Sequence, residues 1–238
     1  MTPDSNHAAL MDDVYRRQRH IYDFTRKYYL FGRDRLVDSM RPGPDARVLE
    51  VGCGTARNLV RLARRYPGRR LFGLDASEAM LETAAQTLKR AGLGGQVQLV
   101  HAYAEDVSPG IFGDGAPFDE IFFSYSLSMI PDWKQALNAA AAALAPTGRI
   151  HVVDFGDLAS LPGSARSALL AWLRLFHVEP RGELLDVLER DSDKFEEFQL
   201  LTGRYAFVLR TSAEGLMDLT FPVALQSQGP DKTPSSCP

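Results

Sequence analysis

The fold of this chain is decided by Leu49-Glu50-Val51-Gly52-Cys53-Gly54-Thr55-Ala56-Arg57-Asn58, a short apolar run followed by a glycine loop and a helical segment. Glycines at 52 and 54 let the backbone turn sharply and approach a ligand without a Cβ in the way. A purely structural turn explains such a loop equally well. A dinucleotide-binding fingerprint would place a third glycine at position 57, where the chain has arginine. The pattern therefore does not favour a pyrophosphate site.

Strands and helices alternate after this loop. Apolar runs predict strands at Arg47 to Val51, Leu71 to Leu74, Val97 to Val100, Phe118 to Tyr125 and Arg149 to Asp154. Helices are predicted at Arg57 to Tyr66, Ser77 to Arg90, Pro131 to about Ala143, Leu169 to Val178 and Glu183 to Arg190. A hairpin, Phe195 to Leu201 and Arg204 to Arg210, follows. The sequence thus predicts a doubly wound α/β fold, with a mostly parallel seven-stranded sheet closed by an antiparallel pair.

The chain divides into three predicted parts. Apolar residues recur at roughly helical intervals over residues 8–40, until Arg41-Pro42-Gly43-Pro44 interrupts the pattern. We expect an N-terminal helical extension or lid at 1–42 and the α/β domain at 43–215. Residues 226–238 are rich in Ser, Pro, Gly and Gln, and we expect them to be disordered.

Composition narrows the class of protein. The net charge of −3 argues against a protein whose main role is to bind nucleic acid. The two cysteines, Cys53 and Cys237, offer no disulfide framework, so we expect a cytoplasmic protein. No run approaches the ~20 apolar residues that span a bilayer, so any membrane contact is expected to be peripheral. The five histidines are scattered without metal-ligand spacing, and we expect no metal site.

An acidic residue follows the second predicted strand, where chemistry is expected in such folds. Asp75 lies near the position at which a carboxylate commonly binds ribose hydroxyls. It can also cap the next helix, a role for which Ser77 competes. Both roles are compatible with each other.

Taken together, these motifs resemble those of class I S-adenosylmethionine-dependent methyltransferases. Glu50-Val-Gly-Cys-Gly-Thr resembles the first motif, with Ala56 where a third glycine is usual. His101 to Asp106 occupies the place of the adenine-contacting segment, with Tyr103 instead of the usual aspartate, and Phe118 to Ser126 resembles the fourth motif. The resemblance implies S-adenosylmethionine as cofactor, contacted by Tyr22, Arg33, Glu50, Gly52, Cys53, Gly54, Asn58, Asp75, Ala76, Met80, Ala104, Glu105 and Ser124.

A closer resemblance begins at the N-terminus. VYRRQRHIYDFTRKYYLFGRD, residues 14–34, is similar to the N-terminal signature of bacterial betaine-lipid methyltransferases, as are FFSYSLSMIP at 122–131 and LFHV at 175–178. The similarity extends over roughly residues 8–210. It implies successive N-methylation of diacylglyceryl homoserine to the trimethylated betaine lipid. The resemblance therefore also implies a lipid substrate at the inner face of the cytoplasmic membrane. It implies as a partner the synthase that transfers the 3-amino-3-carboxypropyl group.

The expected acceptor site is basic and aromatic. Residues 12–35 hold seven Arg or Lys against four Asp, with tyrosines interleaved, and Arg57, Arg61, Arg64 and Arg65 add a second basic face. Such stretches suit anionic lipid headgroups, although a solvated helix face explains them as well. The implied catalytic residues are Tyr22 and Tyr125, whose rings can hold an ammonium group, and His151 as proton acceptor. Phosphatidylethanolamine or a soluble amine as acceptor, and an inactive cofactor- or membrane-binding module, stay open as alternatives.

Overall fold

The computed structural model describes residues 30–219. Its strands are β1 (Arg47–Val51), β2 (Arg70–Asp75), β3 (Val97–His101), β4 (Phe118–Ser124), β5 (Leu144–Phe155), β6 (Glu197–Leu201) and β7 (Ala206–Thr211). The α-helices in this part of the chain are α1 (Arg33–Ser39), α2 (Arg57–Arg65), α3 (Glu78–Arg90), α4 (Trp133–Ala142), α5 (Gly163–Arg174), α6 (Gly182–Arg190) and α7 (Ala213–Met217). Single 3₁₀ turns lie at Ala104–Asp106 and Ser192–Lys194.

All seven strands form one sheet in the order β3-β2-β1-β4-β5-β7-β6. The first five strands pair in parallel, and β7 runs antiparallel to both β5 and β6. The predicted fold class is confirmed. A parallel pair needs a crossover connection, and the helices that provide it cover both faces of the sheet, each with its own apolar cluster.

The strand order indicates at which edge of the sheet a ligand would bind. The chain moves outward from β1 to β2 and β3, then returns to β4 on the other side of β1. Crossovers therefore diverge at the carboxyl ends of β1 and β4, which is where ligands of open parallel sheets bind. Every residue of β1 is buried, so its carboxyl end is a rigid base for the glycine loop.

Three predicted boundaries are corrected. The helix predicted over 8–40 does not run unbroken through residue 32, because Gly32 has a φ of +82° and α1 begins only after it. A Cβ at Gly32 would collide with Leu201 Cδ1, so packing requires glycine there. Helix α5 begins directly after Pro162, six residues before the predicted start at Leu169. The prediction missed this first part because residues 163–168 are exposed and show no apolar periodicity. Strand β5 begins at Leu144, since that residue already pairs with Phe118 before the predicted turn at Pro146 to Gly148.

Two of the predicted parts lie mostly or wholly outside residues 30–219. Most of the predicted N-terminal extension, including residues 8–29, and the predicted disordered tail at 226–238 lie outside the described residues. Within residues 30–219 no helix is long and apolar enough to span a bilayer.

Candidate functional site

A cavity of about 450 Å³ opens at the carboxyl ends of β1 and β4. That volume lies within the range of small-molecule sites. Its described lining consists of Leu30, Arg33, Glu50, Gly52, Cys53, Gly54, Thr55, Arg57, Asn58, Thr87 and Ser124. Seven of the predicted cofactor residues are thus brought together: Arg33, Glu50, Gly52, Cys53, Gly54, Asn58 and Ser124.

The glycine loop forms one wall of this cavity. Gly52 and Gly54 have φ values of +74° and +52°, a backbone conformation that favours glycine. A Cβ added at Gly52 would lie 2.6 Å from Ser126 Cβ, so the loop and the segment after β4 are in direct contact. Ala56, at the position where the motif usually has its third glycine, adopts the same left-handed region with a φ of +62°. The departure from the motif therefore leaves the turn intact.

Asp75 joins this loop to the end of β2. Its Oδ2 accepts a hydrogen bond from Gly54 N at 2.7 Å, and its Oδ1 accepts one from Ser77 N at 3.0 Å. The Ser77 side chain caps α3 by accepting from Met80 N at 3.3 Å. Each carboxylate oxygen has a second lone pair, so Asp75 can also accept from a ribose hydroxyl beside the loop.

A buried polar pair lies under the loop. Asn58 Nδ2 donates to Glu50 Oε1 at 2.6 Å. Asn58 Oδ1 and Ser124 Oγ are buried and make no hydrogen bond within residues 30–219. Because both residues line the cavity and an unsatisfied buried polar atom is costly, they are suited to a polar group of a ligand. Burial raises the pKa of the Cys53 thiol well above its usual value, reinforced by Asp75 and Glu50, so the thiol is neutral.

The opposite wall comes from residues 30–40, which we call the N-terminal strap. Leu30 and Arg33 line the cavity. The strap is tied to α2 by ion pairs: Arg57 Nη1 lies 2.7 Å from Asp34 Oδ1, and Arg61 Nη2 lies 2.6 Å from Asp38 Oδ2. The hydrogen bond from Arg57 lowers the pKa of Asp34. Two of the four arginines of the predicted second basic face, Arg57 and Arg61, are thus paired with carboxylates of the strap, while Arg64 and Arg65 are exposed.

Tyr125 also holds the strap. It follows β4 with a φ of +57°, is 1% exposed, and donates from its hydroxyl to Phe31 O at 2.5 Å. Burial raises the pKa of this phenol well above its usual value. Tyr125 was predicted to hold an ammonium group, but its ring is buried and makes a T-shaped contact with Phe155, with ring centroids 4.8 Å apart. Tyr125 therefore acts on the site through the strap.

His151 lies in the middle of β5, away from the cavity lining. Its side chain is 4% exposed, and its Nε2 is 2.5 Å from Glu120 Oε2 on the neighbouring strand. The prediction of His151 as proton acceptor in the site is corrected, since the ring contacts neither the cavity nor solvent. His151 is instead the hydrogen-bond partner of the buried Glu120 carboxyl group within the sheet.

The remaining predicted contacts follow β2 and β3 rather than lining the cavity. Ala76 O is 2.9 Å from His101 Nε2, Met80 is buried in the first turn of α3, and Ala104 and Glu105 lie in the 3₁₀ turn after β3. Tyr22 lies outside the described residues. Sequence reasoning missed Leu30, Thr55, Arg57 and Thr87 as lining residues. Arg57 and Thr55 adjoin the glycine motif, which was the available signal, whereas nothing in the sequence marks Thr87. Within residues 30–219 no group of three or more His, Cys, Asp or Glu is placed to hold a metal.

The residues present fit S-adenosylmethionine. Arg33 can donate two parallel hydrogen bonds to the cofactor carboxylate. Asn58 Oδ1 can accept from its ammonium group, and Asp75 can accept from its ribose diol. The glycines leave room for the backbone to approach the ligand. In class I enzymes this cofactor supplies an electrophilic methyl group.

Comparison with known proteins agrees with this geometry. A family model described as a methyltransferase domain matches residues 48–148. The ubiquinone/menaquinone biosynthesis C-methyltransferase UbiE of Geotalea daltonii is 29% identical over 140 residues, which is 56% of this chain and 58% of the relative. UbiE of Idiomarina loihiensis is 28% identical over 193 residues, 79% of this chain and 73% of the relative.

The solved structure of an S-adenosylmethionine-dependent methyltransferase from Thermotoga maritima, described as a possible histamine N-methyltransferase, has a TM-score of 0.61. It is 19% identical, with 85% of this chain and 99% of that chain covered, so it supports the fold. From the matched family model, the curated relatives and the glycine-loop cavity together, we conclude that the chain carries a class I S-adenosylmethionine-dependent methyltransferase domain.

Proposed function

We propose that this domain methylates the amine of diacylglyceryl homoserine and forms the trimethylated betaine lipid. One observation carries the proposal: the run that resembles betaine-lipid methyltransferases ends in the cavity wall. Of residues 14–34, the described end supplies Leu30 and Arg33 to the lining and Asp34 to the ion pair with Arg57. A signature that forms part of a cofactor cavity is more informative about the reaction than one on a remote surface.

The chemistry required is compatible with this lining. Methyl transfer to an amine is an in-line displacement, so the protein positions the two reactants and excludes water. The amine attacks only when neutral, and it loses its proton to solvent or to a nearby acceptor before the transfer. Among the described lining residues the ionisable groups are Arg33, Glu50, Cys53 and Arg57. Glu50 is the carboxylate among these described residues, and its Oε1 already accepts a hydrogen bond from Asn58, so we expect the lining to act mainly by positioning the reactants.

A second candidate is methylation of a ring carbon in a quinone precursor. It is favoured by the names of the curated relatives, which include C-methyltransferases of ubiquinone and menaquinone biosynthesis. The family model, described as a methyltransferase domain, matches residues 48–148, and such a domain by itself does not specify the methyl acceptor. Both candidates have lipid-soluble acceptors, so the identity of the nucleophilic atom separates them.

The deciding experiment is transfer from labelled S-adenosylmethionine to acceptors in mixed micelles. Diacylglyceryl homoserine, phosphatidylethanolamine and a demethylmenaquinone are supplied separately. We expect label only in the homoserine lipid, with mono-, di- and trimethyl products resolved by mass. Label only in the quinone would support the second candidate instead, and label only in phosphatidylethanolamine would also refute the proposal.

Expression in a host without betaine lipids tests the same proposal in cells. The chain is expressed alone and together with the synthase that transfers the 3-amino-3-carboxypropyl group. We expect the trimethylated lipid only in the co-expressing cells. Replacing Arg33 by Met should reduce that product, while the exposed Arg64→Met serves as a matched control on α2.

A further inference from the structure

The loop between β4 and α4, residues 125–132, lies beside the glycine loop, since a Cβ at Gly52 would contact Ser126. Ser126 Oγ donates to Val51 O at 2.8 Å, at the end of β1. Met129 packs against Met80, in the first turn of α3, and Phe176 packs against the same Met80. The β4–α4 loop therefore lies along the carboxyl edge of the sheet, where an acceptor must lie to reach the cofactor.

This loop is held by hydrogen bonds from two distant segments. Ser128 N donates to Asp154 Oδ2 at 3.0 Å, at the end of β5. Arg181, just before α6, donates from Nε to Leu127 O at 3.0 Å and from Nη2 to Ile130 O at 2.7 Å. One guanidinium thus spans two carbonyls of the same turn, a geometry that its planar fork of donors permits and a lysine cannot reproduce.

A neighbouring backbone bond completes the attachment. Glu179 N donates to Ser128 O at 2.8 Å, so residues 179–181 follow the loop along three successive contacts. The side chain of Arg181 is 15% exposed and Asp154 is 2% exposed. Burial raises the pKa of Asp154 and lowers the pKa of Arg181, and the attraction between the two charges opposes both shifts. Two largely desolvated groups of opposite charge therefore converge on one short loop.

We propose that Arg181 is a positioning residue for the methyl acceptor, because it fixes the carbonyls of Leu127 and Ile130 and thereby the β4–α4 loop, which lies beside the glycine loop at the carboxyl edge of the sheet. The inference rests on the methyltransferase domain and does not depend on which acceptor is used. Cofactor binding depends mainly on the glycine loop, Asp75 and the strap, none of which Arg181 contacts in the described residues.

The test compares Arg181→Met, Arg181→Lys and the control Arg190→Met. Methionine keeps much of the aliphatic stem and removes all donors, and lysine can reach one carbonyl. Arg190 is a surface residue of α6 that pairs with Asp191, so its replacement controls for loss of an arginine in the same region. Measurements are acceptor KM and kcat, affinity for S-adenosylhomocysteine, and amide hydrogen exchange at residues 126–130.

We expect Arg181→Met to raise the acceptor KM at least tenfold and to accelerate exchange in the loop, while affinity for S-adenosylhomocysteine stays within about twofold. Arg181→Lys should recover part of the KM, and Arg190→Met should match the unmodified protein. An unchanged KM and exchange rate in Arg181→Met would overturn the proposal. So would equal losses in thermal stability and cofactor affinity with no separate effect on KM, since that pattern indicates a role in folding alone.

If the unmodified protein does not methylate the homoserine lipid, the proposed function fails while this inference is still decided. The kinetic comparison then uses the acceptor that the protein does methylate, and the exchange and binding measurements need no acceptor. Unchanged exchange at residues 126–130 in Arg181→Met would in that case refute the role of Arg181.

Discussion

The two halves of the sheet build their share of the site in different ways. On the side of β1 to β3, the contacts join residues close in sequence: Asn58 bonds Glu50, 8 residues away, and Gly54 bonds Asp75, 21 residues away. On the side of β4 and β5, Tyr125 bonds Phe31 across 94 residues and Arg181 bonds Leu127 across 54. The β1–β3 half, which carries the glycine loop and is called the cofactor half below, is thus a local motif, and the β4–β5 half is assembled by the tertiary fold.

This difference explains how substrate specificity can change while the cofactor site is retained. Local contacts keep their geometry when distant parts of the chain vary. Contacts over long sequence separations depend on the strap and on the segment before α6. Changes in those segments can therefore alter the β4–β5 half while the hydrogen bonds within the glycine loop are retained.

The largest effect is expected for Gly52→Ala, in the local half. The added Cβ would meet Ser126 and would strain a backbone at a φ of +74°. We expect affinity for S-adenosylhomocysteine to fall more than 100-fold, about 2.7 kcal/mol, measured by calorimetry. Gly68→Ala is the matched control, because Gly68 has a φ of +84° with open space around it. Equal loss in both variants would mean that backbone strain, rather than the site, is responsible.

His151 tests whether a polar residue of the other half is structural. His151→Phe fills the space but leaves the Glu120 carboxyl buried without its ring donor, which we expect to cost about 2 kcal/mol of unfolding free energy. Cofactor affinity should stay unchanged in the folded protein. His151→Gln retains a donor and should recover part of the stability. Normal stability with lost methyl transfer would restore His151 as a catalytic candidate.

Tyr125 tests the longest contact of the site. Tyr125→Phe keeps the ring against Phe155 and removes the hydrogen bond to Phe31 O. Loss of one hydrogen bond of about 1 kcal/mol should weaken cofactor affinity roughly fivefold, because Arg33 is held less firmly. Tyr66→Phe is the control, since its hydroxyl also bonds the strap, at Met40 O, but at the end remote from Arg33. Equal weakening in both would argue against a specific role for Tyr125.

The smallest effects concern pH, and the two halves should respond with opposite sign. The pKa of Asp34 is lowered from 3.8, so its ion pair stabilises the strap above that value and is lost as the pH falls through the folded-state pKa. The pKa of buried Asp154 is raised, so stability falls as the pH rises from 3.8 through its folded-state pKa. Thermal unfolding is measured across acidic pH. Asp34→Asn should reduce the loss of stability as the pH falls, and Asp154→Asn should reduce the loss of stability as the pH rises. A variant that leaves its own dependence unchanged would contradict the assigned cause.

Much of the cofactor half was predictable because its signals are short. Glycines at 52 and 54, Glu50 and Asp75 were recognised from residue type and strand ends, and most of the predicted cofactor residues of this segment line the cavity. The roles of Tyr125 and His151 were not predictable. Both have plausible catalytic side chains, and only their burial and their partners, Phe31 O and Glu120, separate a structural role from a chemical one.

The sequence by itself determined the alternation of strands and helices, the glycine corner after β1 and the carboxylate after β2, since these depend on periodicity and on conformations that few residues adopt. The tertiary structure alone decided that α1 begins after Gly32, that Arg57 and Arg61 pair with Asp34 and Asp38 of the strap, and that Arg181 reaches the β4–α4 loop. Those outcomes depend on which distant segments the sheet brings together, and the local pattern of residues does not encode such distances.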